Sequence, residues 1–156
     1  MRDLFIALKS LYDATTSASF VASPEWTAAE ILTAAQALRT YCVGGIHMPK
    51  APHGTPTPHL TMSATADLTE GSMGYIPREG TVVTFSLWTA RYGLDNALLQ
   101  MKNLCRVFDN QRPKFAGTAN TRGIILAVRM KSGMVTELPE PEGGFGVHVD
   151  YKYKYK

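Results

Sequence analysis

Apolar residues recur along this chain with two different periods. Leu94, Ala97, Leu98, Met101, Leu104, Cys105 and Phe108 follow one another at steps of three, four and their sums, which places them on one face of a helix. The spacing predicts a core-facing helix over 94–109, with Asp95 suited to its electropositive start and Arg106 to its end. Residues 81–90 alternate instead. Val83, Phe85 and Leu87 fall on one side, and Val82, Thr84, Ser86 and Trp88 on the other. β-Branched and aromatic residues dominate this stretch, and both sides carry apolar groups, so it predicts a central strand. Gly93 supplies the turn between the two.

The same two periods organise the flanks. Leu4, Phe5, Leu8, Leu11 and Tyr12 form one stripe and predict a short amphipathic helix over 2–13, followed by a small polar linker at 14–19. Ser23, Pro24 and Glu25 are suited to open a helix, and Trp26, Ile31, Leu32, Ala35 and Leu38 continue it to about residue 40. Alternation predicts strands over 59–67 and 123–131, the latter with Ile124, Leu126, Val128 and Met130 on one face. Ser132 and Gly133 read as a turn into a hairpin partner at 134–138. A last strand over 145–156 sets Phe145, Val147, Val149, Tyr151, Tyr153 and Tyr155 against His148, Asp150, Lys152, Lys154 and Lys156. Between these lie a loop at 46–58 with four prolines, long loops at 68–80 and 110–122, and an acidic turn at 139–144. The combined periodicities predict a core of Phe85, Leu87, Leu98, Met101, Leu104, Phe108, Ile124, Leu126 and Val128.

At 156 residues, with 45% hydrophobic and 19% charged residues, the chain has the size and composition of one globular domain. No apolar run reaches the roughly 18 residues that span a bilayer. Asp3 and Lys9 break the apolar start, so it reads as a helix of the mature protein and not as a secretion signal. Two cysteines, Cys42 and Cys105, cannot build a disulfide framework and read as packed thiols of a protein made in the cytoplasm. The net charge of +3 is too mild to indicate nucleic acid by itself.

The candidate chemistry is sparse. His47, His53 and His59 stand six residues apart in the proline-rich loop, without the cysteine pair or close spacing that zinc favours; together with His148 they give no coordinating pattern, and no metal or cofactor is expected. Phosphate-loop, dinucleotide and nucleophile-elbow motifs are absent. The carboxylates form no acid–base motif. The alternating tyrosines and lysines at the end read as inward aromatics beside a solvated lysine row.

The stretch 81–109, TVVTFSLWTARYGLDNALLQMKNLCRVFD, is a strand ending in an aromatic, a short glycine turn and an amphipathic helix. It resembles the core of the tail terminator (tail completion) proteins of long-tailed bacteriophages. The flanking short helix, the approach through Gly44, Gly45 and Ile46 to a strand at 58–62, and the strands at 123–131 and 145–155 follow the same pattern. The resemblance implies an α+β fold, a mainly antiparallel sheet with the 94–109 helix on one face. It implies a structural virion protein and not an enzyme. Such a protein forms a ring, usually of six, on the head-proximal end of the tail, ends addition of tail-tube subunits and presents the surface for head joining. Its expected partners are its own copies, the tail-tube protein and a head-completion or connector protein, with no membrane and no sequence-specific nucleic acid. Candidate contact residues are the loop anchors Tyr75, Ile76 and Phe115, basic Arg78, Arg112 and Lys114, and acidic Glu137, Glu140 and Glu142, because a head-to-tail ring contact joins two different surfaces.

Overall fold

In the computed structural model, residues 2–70, 78–115, 122–139 and 143–155 are described, without the side chains of 65–70, 78 and 79. Three helices, α1 (Arg2–Tyr12), α2 (Ala28–Tyr41) and α3 (Leu94–Phe108), accompany five strands: β1 (Ile46–His47), β2 (His59–Glu70), β3 (Arg78–Thr89), β4 (Ile124–Glu137) and β5 (Phe145–Tyr155). The fold is α+β. The strands form one sheet in the order β1-β2-β3-β5-β4; β1 lies parallel to β2 and every other pairing is antiparallel.

The alternation of β3 dictates its position. Val83, Phe85 and Leu87 are fully buried against the helices, while β2 and β5 take its two edges. The register sets the core rows. Met62 and Val149 lie opposite Phe85, and Tyr151 lies opposite Val83. The helices cover this face. The Phe108 ring of α3 lies 4.4 Å from Phe85, and Tyr151 meets Phe85 edge-on at 5.7 Å. Leu4, Leu8, Ile31, Ala35, Leu38 and Leu104 complete the buried layer. The predicted stripes of α1 and β5 are the buried ones, although Phe145 is only half-buried. Both cysteines are buried as free thiols; burial pushes the Cys42 thiol up to about 12.

Several expectations are corrected. Helix α2 begins later, at Ala28, because Thr27 caps it: its hydroxyl accepts from the Glu30 N–H while the Glu30 carboxylate accepts from the Thr27 N–H. Ser23 instead accepts from the Trp26 N–H. The proline loop is entered through a two-residue strand, β1. The predicted loop at 68–80 is shortened from both sides, because β2 runs to Glu70 and β3 starts at Arg78; residues 71–77 lie outside the described residues. Residues 132–138 do not turn back as a hairpin. Gly133, at φ +75°, marks one of three register shifts in a single strand that continues to Glu137. Those shifts also break the predicted face of β4: Ile124 and Ala127 are buried, Leu126 is half-buried, and Val128 and Met130 are exposed. Leu98, at the rim of the α3 stripe, is exposed as well.

Candidate functional site

The helices cover one face of the sheet. At one end of the other face, the segment 49–57 stands over β2 and β3 and encloses a pocket of about 770 Å³. Its floor is His59, Thr61 and Ser63 of β2 with Ser86, Trp88 and Thr89 of β3; its roof carries Lys50, Pro52 and His53; Leu138 and Gly143 line it beside the acidic turn. The roof is anchored at Gly44. The Gly44 N–H donates to the Pro58 carbonyl at 2.9 Å, and the Leu60 N–H donates to the Gly45 carbonyl at 2.9 Å. A Cβ at Gly44 would lie 2.0 Å from the Pro56 carbonyl oxygen, so only glycine lets the strap close this tightly.

All four histidines of the chain gather at this end. His47 and His59 meet edge-on with centroids 6.1 Å apart, His53 is on the roof, and His148 meets Trp88 edge-on at 5.5 Å. His47 Nε2 lies 2.7 Å from the Gly44 carbonyl at the base of the strap, and His59 Nδ1 lies 3.1 Å from that of Pro56 within it. Burial, with His47 adding repulsion, holds His59 below the usual histidine range; the Pro56 carbonyl opposes this. Burial likewise lowers His148 against the pull of Asp150. Trp88 donates Nε1–H to Thr61 Oγ1 at 3.0 Å, and its ring lies so close over Gly146 that a Cβ there would come within 2.7 Å of it.

His148 Nδ1 is 2.7 Å from Ser86 Oγ, and its Nε2 is 3.0 Å from Thr136 Oγ1. A hydroxyl beside an imidazole is the start of a nucleophile–base pair. Here Ser86 sits mid-strand in β3 between β2 and β5, where no pair of free N–H groups flanks it to hold an oxyanion. The contact reads as a cross-strand polar pair that satisfies both groups. Among the described residues no cluster of three histidine, cysteine or acidic side chains is placed to hold a metal, and no helix is long and apolar enough to cross a membrane.

The predicted contact residues are distributed differently. Arg112 and Lys114 are exposed where the 110–115 segment meets β4, fixed by the Ile124 N–H donating to the Pro113 carbonyl at 3.1 Å. Phe115 is not an exposed anchor: it is buried and meets Tyr155 edge-on at 5.8 Å, as part of the core. Glu137 is exposed at the opposite end of β4, opposite Phe145. A strand of this length separates it from Lys114 by roughly 40 Å, so the basic and acidic groups do not face each other within one chain. The side chain of Arg78, and Tyr75, Ile76, Glu140 and Glu142 altogether, lie outside the described residues. The sequence reading missed Lys50, Trp88 and Ser63 as neighbours. Its one usable signal was the six-residue histidine spacing, because pairing of β1 with β2 and of β3 with β5 is what brings these groups together.

A second surface is the edge of β4 turned away from β5, which beyond its contact with the 113–115 segment at Ile124 pairs with no strand among the described residues. Val128, Met130, Met134 and Val135 are all exposed along it, interspersed with Arg129 and Lys131. No protein-family model matches the chain, and a search of curated proteins gives no match either.

Proposed function

We propose that this chain is an architectural virion subunit of the tail-terminator type. It forms a ring, usually of six, on the head-proximal end of the tail tube, stops further addition of tube subunits and presents the head-joining surface. In this reading it is not an enzyme, its partners are its own copies, the tube protein and a head-completion protein, and it is made in the host cytoplasm and resides in the virion. The observation that carries the reading is the β4 edge, which past Ile124 has no strand partner among the described residues and carries exposed Val128, Met130, Met134 and Val135. A long apolar edge is a surface for another chain. The sheet also supports a head-to-tail contact, since its other side differs: β1 covers only Leu60 and Thr61 of β2. A ring contact needs two unlike surfaces of this kind. Exposed Arg112 and Lys114 at one end of β4 and Glu137 at the other offer opposite charge to neighbours, with Arg78 and the acidic Glu140 and Glu142 proposed to join them.

The test is assembly. Reversing Arg112 and Lys114 together, in a subunit whose thermal melt is unchanged, is expected to give tails of abnormal length or tails that fail to join heads. Normal tails from that variant remove the basic surface from the proposal. Normal tail length and joining after deletion of the whole protein refute the terminator reading, and leave another neck or tail-tube role or a ligand-binding domain, the last favoured by the pocket under the 49–57 strap.

A further inference from the structure

We propose that the pocket under the 49–57 strap binds a ring-bearing anion of the nucleoside monophosphate class, with the ring against Trp88 and the phosphate held by Lys50, His53 and His59. This is independent of the ring-assembly reading. The pocket volume of about 770 Å³ falls in the ordinary size range of small-molecule sites. Among the described lining residues are a lysine and two histidines and no carboxylate. Lys50 and His53 make no hydrogen bond or ion pair to any described residue, and His59 uses only Nδ1 on the strap, leaving Nε2 for a ligand. Glu140 and Glu142, between the lining residues Leu138 and Gly143, lie outside the described residues.

The indole determines the second half of the ligand. Its N–H is already donated to Thr61, so Trp88 offers a π-surface and not a donor, which selects an aromatic ring over a polar group. Its orientation is fixed from behind by His148 and by the close approach of Gly146. Ser63 and Thr57 add hydroxyls to the lining, suited to a sugar. An extended acidic peptide fits less well, because β1 already occupies the β2 edge at Leu60 and Thr61 and leaves no ladder there to join.

The charged and titratable groups around the phosphate position are His47 from β1, Lys50 and His53 from the roof, His59 from β2, and His148 with Asp150 from β5. Burial disfavours the protonated form of His59 in the empty pocket. A bound phosphate favours its protonated form, so binding takes up protons and strengthens as pH falls, by at most about tenfold per pH unit for each proton taken up.

The experiment uses the whole chain carrying Trp26→Phe, so that Trp88 is the only indole, and follows its fluorescence during titration with AMP, adenosine, inorganic phosphate and a short 5′-phosphorylated oligonucleotide. Saturable quenching by AMP is expected, about tenfold or more tighter than by adenosine or phosphate alone, and tighter at about pH 6 than at about pH 7.5. Lys50→Ala with His53→Gln, on an exposed strap where folding is not at risk, should weaken AMP about fivefold or more without moving the melt. Tighter binding of the oligonucleotide than of AMP identifies a strand end as the source of the ligand; the reverse identifies a free nucleotide. No saturable signal, equal affinity for phosphate and AMP, or full affinity in the double variant overturns the proposal.

Discussion

Removing one hydroxyl from the core should stabilise this protein. Tyr153 is fully buried, and its hydroxyl has no hydrogen-bond partner among the described residues. Its neighbour Tyr151, stacked on it at 5.8 Å, donates to Asp109 Oδ1 at 2.6 Å. The two rings differ little in burial and greatly in polar satisfaction, so they make a matched pair. Tyr153→Phe keeps the ring and deletes a group desolvated without compensation, which should return about 1–3 kcal/mol. Tyr151→Phe deletes a charge-assisted bond and leaves Asp109, among the described residues, the more distant Arg129 at 3.5 Å, which should cost about 1.5–3 kcal/mol. Urea melts read both directly, and in thermal melts each kcal/mol should move the midpoint by about 2–4 °C in a chain of this size. The two variants should therefore move in opposite directions. Tyr153→Phe destabilising as much as Tyr151→Phe would refute the reasoning, because it would mean that the Tyr153 hydroxyl is bonded in solution.

Other consequences are open to direct measurement. Leu104→Ala, at a fully buried position on α3, should cost about 2–5 kcal/mol in a denaturant melt, whereas Leu98→Ala on the exposed rim should cost well under 1 kcal/mol, within about 0.5 kcal/mol of neutral. Burial lowers His59 and His148 below their ordinary value of 6.5; the unfolded chain then binds more protons, so their contribution is present above pH 6.5 and is lost as pH falls below it, and His148→Gln should flatten that acid limb. Tyr151 and Tyr153 shift the other way: burial raises both far above their ordinary value of 10.0, so stability should decline as pH rises past 10, read by a melt series in alkaline buffer. Cys42, pushed up to about 12 by burial, should resist alkylation by iodoacetamide at pH 8 until the chain is unfolded in urea.

What could be read in the sequence was whatever one element decides alone. The α3 stripe, the two-sided apolar character of β3 and the inward tyrosines of β5 follow from local period and survive in the structure. The errors fall where neighbours decide. Val128 has the right residue type for a core strand, but β4 is at the edge and its bulges change which side each residue faces, something period-two counting cannot register. Ser132 and Gly133 have turn chemistry, yet a glycine at positive φ serves a bulge as well as a hairpin. Phe115 looked like a loop anchor because its loop is polar; the bridge between Lys114 and Gly123 carries it into the core. The pocket was legible only as a histidine spacing, since its floor and roof come from segments that pairing alone brings together.

The strand order has a consequence for the chain as it leaves the ribosome. β2 and β3 are consecutive and can pair as soon as both have emerged, but the second edge of β3 is completed by β5, the last of the sheet's five strands in chain order. Thr84 and Asp150, hydrogen-bonded at 2.7 Å across that ladder, are 66 residues apart. Throughout that interval the central strand of the sheet has one edge open, and β4, whose strand partner is β5, emerges with its valines and methionines uncovered. Synthesis is slow compared with collapse, so the nascent chain passes through a stage in which half its sheet is waiting for a partner. That interval, and not the finished fold, is where this protein should be most vulnerable to aggregation and should depend most on holdase chaperones.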